Sequence, residues 1–460
     1  MRSLAERSRQ SNHPDWLSVT ISDMKRVLAA SVPEHADKSV FIRGWLHKKR
    51  LLGGLNFIVL RDRSGLVQIV LQDEKEIEKL RGLQVGTVLS IEGRAVAEKR
   101  AIGGAEIREP KITVDVAVND EPPIEIDKPL SHQPEHLDTL FDLRVLGLRN
   151  LREQTIFKVQ AEVEEAISRY LKGQDFVQFN SPKLLPGATE GGAEVFKLDY
   201  FGKEATLAQS AQFYKQILVG VYERVFEINP TYRAELSATT RHMTEFITID
   251  MEMGFIDFAQ LLDCVSNLIN SVINDVWQKY EAELDGWKAT KPQLSAQFPI
   301  LTMSDIHQKY SQATKTNTVG EKDLRPDEER WICDYSLKNL GSEAVFVTEW
   351  PASEAKFYHK LYDDRPEFAE RFDLLFRGVE IATGSMREHR YEKLVAQLKE
   401  KTGASPDDAG YKHFLQAFRY GMPPHGGFGM GLERLTEKII GLSNVKEATL
   451  FPRDINRLAP

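Results

Sequence analysis

Between residues 39 and 118 the chain runs in short apolar stretches cut by tight turns. SVFIRGWLHKKR, LNFIVLRD and LVQIVLQ are rich in β-branched and aromatic residues and read as strands. Gly53-Gly54 and Asp62-Arg63-Ser64-Gly65 separate them. KEIEKLRGL predicts one short helix, and TVLSIEGRAVAEKR and AEIREPKITVDVAV two further strands. Five strands and one helix predict a small Greek-key barrel.

A Pro- and acid-rich stretch, NDEPPIEIDKPLSH, reads as a linker. Beyond it, Ile156, Val159, Val163, Ile167 and Tyr170 recur at helical spacing, with Gly173 a suitable stop. The remainder mixes helices with strands that alternate apolar and polar, as in an antiparallel sheet with one packed face and one wet face. In FITIDMEM, Ile247, Ile249, Met251 and Met253 fall on one side, and Phe246, Thr248, Asp250 and Glu252 on the other. A solvated outer face gives the same pattern, but this one is acidic and opens with an aromatic. In RVFEINPTYRAE, Glu227, Asn229, Arg233 and Glu235 share a parity, so they share a face unless a bulge intervenes. Charges of both signs on two successive strands look more like a polar ligand site than a surface; ordinary cross-strand ion pairs are the alternative.

Of the 460 residues, 42% are hydrophobic and 28% charged, an ordinary globular composition. The formal net charge of −8 supplies no global cationic field, so nucleic acid must be met by local patches and shape. Cys264 and Cys333 are far apart in sequence and fit neither a zinc site nor a disulfide framework, as expected in a reducing cytoplasm. No apolar run approaches the roughly 20 residues of a membrane span. Residues 1–10 are polar and charged and do not read as a secretion signal.

Two segments carry candidate chemistry. HGGFGMGLERL reads as a glycine-rich loop running into a helix, a start that exposes backbone N–H groups, with Arg434 in the first turn. It is no dinucleotide fingerprint, since Leu432 stands where the third glycine belongs, and no P-loop occurs in the chain. Asp373 and Glu380, in FDLLFRGVEI, are hard oxygen donors of the kind that hold Mg²⁺ with nucleotide phosphates; a pair of structural acids would look the same.

The ordered series SPKLL, TEGGAEVF, LAQSAQFYKQ, FEINPTYRAE, TTRHMTEFITIDMEM, FDLLFRGVEI, GMPPHGGFGMGLERL and LFPRD resembles aspartyl-tRNA synthetases of the archaeal and eukaryotic type, within the class II aminoacyl-tRNA synthetases. The resemblance runs from about Phe41 to Pro460 and includes all three class II signatures. It implies an α+β fold: an N-terminal OB-fold anticodon-binding barrel (37–118) after an extension (1–36), a hinge (119–145), and a catalytic domain (146–460). The catalytic domain is expected to be a six- or seven-stranded antiparallel sheet flanked by helices.

The resemblance also implies roles. ATP would be held by Arg233, Ala234, Glu235, Arg241, His242, Met243, Phe246, Glu380, Gly431, Leu432, Glu433 and Arg434. Arg233 would bind the α-phosphate, Phe246 would stack on adenine and Arg434 would hold the γ-phosphate. Mg²⁺ would sit on Asp373 and Glu380, with Thr383. Aspartate would contact Glu190, Gln212, Phe213, Tyr214, Lys215, Arg233, Thr383 and Arg387, its side-chain carboxylate gripped by Lys215 and Arg387. Phe57 and Gln68 would meet the central anticodon base, and Lys48, Lys49 and Arg50 the tRNA backbone. A cytoplasmic homodimer follows, with tRNA as partner and neither DNA nor membrane. The sequence departs from the family at Ala382-Thr383-Gly384-Ser385-Met386-Arg387, where a glutamine is usual at the place of Met386. Asparaginyl-tRNA synthetase and a non-ligating paralogue are the rival readings. Lys215 argues against the first; retention of Arg233, Glu380, Arg434 and the barrel argues against the second.

Overall fold

The computed structural model describes residues 24–51, 53–54, 56–187, 195–237 and 239–459. One compact unit ends at Leu130 and the second begins at Ser131.

The first unit is a closed barrel. Its strands are β1 (Ser39–Leu51), β2 (Asn56–Arg61), β3 (Leu66–Leu71), β4 (Val88–Ala97) and β5 (Ala105–Val116), in the order β1-β2-β3-β5-β4. Alternation closes it: Ile58, Leu60, Val67, Ile69 and Leu71 fill the interior with Leu89, Ile91 and Ile107. The helix Glu74–Glu78 starts where the sequence placed it, capped by the Asp73 carboxylate on the Lys75 N–H, but ends at Glu78, short of the expected KEIEKLRGL span.

The second unit holds an eight-stranded sheet: β6 (Val177–Gln178), β7 (Arg224–Tyr232), β8 (Glu245–Gly254), β9 (Ile300–Thr302), β10 (Ala344–Pro351), β11 (Phe368–Phe376), β12 (Val379–Met386) and β13 (His425–Gly431). The order is β9-β10-β11-β12-β13-β8-β7-β6. The central six strands are antiparallel, as expected, but β9 and β6 add parallel edges. Those edges are too short to show an alternation. The expected hinge is partly folded as well, since Leu137–Asp142 is helical with Leu137, Leu140 and Phe141 buried.

One sheet face packs on the helices Leu151–Gly173 and Phe258–Gly286. Ile156, Val159, Val163 and Ile167 are fully buried, each stabilising the fold by about 1.5–3 kcal/mol of transfer free energy. Ile249, Met251 and Met253 meet them from β8. Cys264 and Cys333 are both free thiols. Among the described residues no helix is long and apolar enough to cross a membrane.

A charged knot ties the entry of this unit to its C-terminal segment. His132 Nε2 lies 2.7 Å from Glu153, and Nδ1 meets Glu447. Arg144, fully buried, pairs with Glu153 at 3.4 Å and donates to the carbonyls of Glu447, Thr449 and Leu450. Burial opposes a charge on His132, but the two carboxylates outweigh it and lift the pKa from 6.5 to about 9. This group therefore adds stability that is fully present below pH 6.5 and is lost as pH rises toward 9. The contribution is about 3 kcal/mol by linkage. His132→Gln should melt well below the wild type at pH 6, with the gap closing by pH 9; a gap independent of pH would contradict this.

Candidate active site

The other face of the sheet carries two rows of side chains, set by the register. Arg371, Ser385, Gly427 and Glu252 are successive cross-strand partners on β11, β12, β13 and β8. Asp373, Thr383, Gly429 and Asp250 form the next row. The polar side of FITIDMEM is thus not a wet surface: Asp250 is 2% exposed and Glu252 0%.

Each row has a glycine at its centre. HGGFGMG is therefore a central strand, not the loop its composition suggests. A Cβ on Gly427 would lie 2.0 Å from the Met251 carbonyl oxygen and 2.3 Å from Glu252 Oε2. Composition favoured a turn, and the need for close strand approach over a buried carboxylate overrode it. The helix Leu432–Ile440 does follow, and carries Arg434.

Above this floor is a cavity of about 300 Å³. Seven of its lining residues are Lys or Arg and five are Asp or Glu, so the bias is cationic although the chain is acidic overall. It brings together Gln212, Lys215, Arg233, Glu235, Arg241, His242, Met243, Phe246, Glu380, Thr383, Arg387, Gly431, Glu433 and Arg434. These come from three strands, two helices, the loop after β7 and, for Arg387, the residue just past β12.

At one end Lys215 and Arg387 meet on a shared acid, Glu252. Lys215 Nζ lies 2.8 Å from Asp250 Oδ1 and 3.7 Å from Glu252 Oε2, and donates to the Phe428 carbonyl at 2.9 Å. Arg387 donates to both oxygens of Glu252 at 2.7 and 3.1 Å, to Gly427 O at 3.0 Å and to Ser385 Oγ at 2.6 Å. Lys215 is 1% exposed and Arg387 3%. Two cations and two acids give a formally neutral quartet, not a bare cationic slot. The acids fix the cations in place, and Ser385 turns the family departure into a ligand for Arg387. Met386, on the opposite side, joins the core.

At the other end are the groups expected around a triphosphate. Arg233 lies over the Phe246 ring at 5.5 Å. Arg434 donates to the carbonyls of Glu380 and Arg241 at 3.0 and 3.3 Å, and Arg241 pairs with Glu329 at 2.6 Å. Burial, then Arg434, Arg233 and Arg241, lower the pKa of His242 against the pull of Glu235, so it sits neutral among cations. Burial lifts Glu433 to about 7, its carboxylate taken by the Ile247 N–H.

Asp373 and Glu380 sit on adjacent strands. Thr383 donates to Glu380 Oε1 at 2.7 Å, and Arg371 to Asp373 at 3.0 and 3.2 Å. Burial, with Glu380 nearby, pushes Asp373 up to about 7 in spite of Arg371. Burial acts the same way on Glu380, but Arg434 and Thr383 outweigh it and its pKa is lowered. Among the described residues no cluster of three or more His, Cys, Asp or Glu is placed to hold a metal alone. An oxygen-only pair of mutually repelling acids fits a cation that also takes ligand phosphates, as Mg²⁺ does.

Several expectations are corrected. Phe213 belongs to an aromatic core: its ring stacks on Phe414 at 4.4 Å and meets Phe357 and Tyr411. One residue along a helix from Gln212, it faces about 100° away. Leu432 is 2% exposed in the main core, and none of Tyr214, Ala234, Leu432 and Asp373 lines the cavity, Asp373 being buried beside it at 4% exposure. Glu227, which shares parity with Arg233, is instead consumed by Ser181 and Lys183. Glu190 lies outside the described residues. Sequence reasoning missed Gln209, Ser210, Lys356, Tyr358, His359 and Arg371, which also line the cavity. Only the LAQSAQ run held a signal for any of them.

In the barrel Phe57 is not core. Ile58 and Leu60 point inward, leaving Phe57 and Gln68 on the outer face of one hairpin, with Arg50 6.0 Å from the ring. Gln68 donates to Glu106 at 3.2 Å. Lys48 and Arg50 are exposed, while Lys49 is tied to the carbonyls of Arg81 and Leu83.

An antiparallel floor, a cationic cavity and an outward aromatic on a five-stranded barrel define a class, and comparison with known proteins agrees. Residues 136–455 match the family described as tRNA synthetases class II (D, K and N), and residues 40–116 match the OB-fold nucleic acid binding domain. The chain belongs to the class II tRNA synthetases of this group and is an aminoacyl-tRNA ligase. It is 40% identical over 434 residues to the aspartate–tRNA(Asp/Asn) ligase of Methanopyrus kandleri, covering 93% of this chain and 97% of that one. To the aspartate–tRNA(Asp) ligase of Pyrococcus abyssi it is 39% identical over 429 residues, covering 92% and 96%. Asparaginyl-tRNA synthetase from Pyrococcus horikoshii, solved with asparaginyl-adenylate, superposes with a TM-score of 0.87 at 32% identity, covering 95% and 100%.

Proposed function

We propose that the chain activates L-aspartate with ATP and transfers it to tRNA(Asp), acting as a cytoplasmic homodimer. The observation that carries the choice of amino acid is the meeting of Lys215 and Arg387 on Glu252 inside the cavity. Their positions are fixed before the substrate arrives, so no ordering cost is left for a carboxylate to meet. A neutral amide would leave the cations without the added anion, at a cost of a few kcal/mol or about a hundredfold in affinity.

In this reading Arg233 holds the reacting carboxylate and the α-phosphate, and Arg434 and Arg241 the distal phosphates. Phe246 offers a face to adenine. Asp373, Glu380 and Thr383 would hold Mg²⁺, which supplies charge neutralisation on the phosphates. The chain's own contribution is positioning and charge: the aspartate carboxylate attacks the α-phosphorus in line, and pyrophosphate leaves. The terminal ribose hydroxyl of tRNA then attacks the carbonyl carbon of the mixed anhydride, the acyl–phosphate bond breaks, and AMP leaves.

ATP–pyrophosphate exchange with each amino acid tests the assignment. Exchange with aspartate and almost none with asparagine is expected; the reverse would establish the asparaginyl reading, which the TM-score of 0.87 makes the natural competitor. Relatives named for one tRNA and for two are almost equally similar, so charging of tRNA(Asp) and tRNA(Asn) transcripts belongs in the same experiment.

The barrel gives a separate expectation. Phe57→Ala should lower aminoacylation by about tenfold, one lost base stack, while exchange stays unchanged. An equal fall in exchange would mean that the ring serves folding instead.

A further inference from the structure

Gln212 reaches the cavity from the first turn of the helix Gln212–Tyr222; Gln216, one turn on, is wholly buried behind it. A line of hydrogen bonds runs back from there. Gln212 Nε2 donates to Gln216 Oε1 at 2.9 Å. Gln216 Nε2 lies 3.0 Å from His425 Nε2, and His425 Nδ1 lies 2.7 Å from the Pro423 carbonyl oxygen.

One end sets the direction of the whole line. A carbonyl only accepts, so His425 Nδ1 must carry the hydrogen. In a neutral imidazole Nε2 is then an acceptor, and Gln216 must turn its NH2 toward it. The Gln216 oxygen is thereby turned to Gln212 and takes one N–H of its NH2. With the Gln212 nitrogen held on that side, its carbonyl oxygen is the acceptor set on the other side of the amide, toward the cavity. Burial keeps His425 neutral, lowering its pKa to about 4, so the polarity holds at neutral pH. Without the line the Gln212 amide has two orientations related by a simple flip, and one presents NH2 to the substrate.

We propose that Gln216 and His425 are positioning residues that lock the Gln212 amide with its oxygen toward the α-ammonium of the bound amino acid. The inference rests on reading the cavity as an amino-acid site. It does not rest on which side chain is taken, because the ammonium is common to all amino acids.

The test compares L-aspartate with succinate, which keeps both carboxylates and lacks the ammonium, by calorimetric binding to the full chain. Gln216→Leu is expected to weaken aspartate by about tenfold or more, one hydrogen bond to a charged group, with succinate binding and the KM for ATP unchanged. Gln216→Glu still accepts from Gln212 Nε2 and is expected to keep the wild-type ratio of the two ligands. Equal weakening of both ligands in the Leu variant, or an unchanged ratio, overturns the proposal. If Gln216→Leu does not fold, loss of the ratio in Gln216→Glu overturns it alone. Wild-type enzyme that exchanges with another amino acid defeats only the aspartate assignment, and the comparison then uses that amino acid and its des-amino analogue.

Discussion

Replacing Arg387 with leucine is expected to cut aspartate-dependent exchange by about two to three and a half orders of magnitude. The figure follows from removing one partner of a buried ion pair, about 3–5 kcal/mol, at 1.4 kcal/mol per decade. Part of that loss is not substrate binding: Glu252, 0% exposed, would keep its charge with only Lys215 at 3.7 Å. The double variant Arg387→Leu/Glu252→Gln separates the two effects. Removing both charges should return much of the lost melting temperature while leaving exchange as low as in the single variant. Recovery of exchange in the double variant would show that Arg387 serves the fold and not aspartate.

The second large effect concerns a residue without a side chain. Gly427→Ala is expected to destabilise the catalytic unit by about 3 kcal/mol or more, because its Cβ would sit 2.0 Å from a backbone oxygen of the paired strand. Gly429→Ala is the control. There the nearest atom to the new Cβ, Asp250 Oδ1, is 3.6 Å away, an ordinary contact. That variant should fold like the wild type and lose activity, since Gly429 lines the cavity. Melting curves and exchange rates on the pair check both halves; similar melting of the two would refute the packing argument.

These cases show how far the sequence could be read. The long helix through Ile156 and Ile167 was legible because its apolar period is local, and so was the barrel, whose hairpins are set by turns and alternation. The two sides of β8 were legible too, but the state of its polar side was not. Whether Asp250 and Glu252 face water depends on Lys215 and Arg387, 35 and 135 residues away in the pairs they form. Nothing local to FITIDMEM encodes that. HGGFGMG misled for the same reason: glycine content signals a turn locally, whereas here it answers two neighbouring strands. Phe213 was misplaced because resemblance carries over a run of sequence, and a helix turns adjacent residues to different sides.

The shared carboxylate of Glu252 has a bearing on how such an enzyme could change its preference. Because Arg387 is held from beneath by Glu252, which does not line the cavity, its reach is governed by a residue behind the pocket wall. Evolution, or a protein engineer, could retune the choice of amino acid by editing that hidden residue while every residue in direct contact stayed the same.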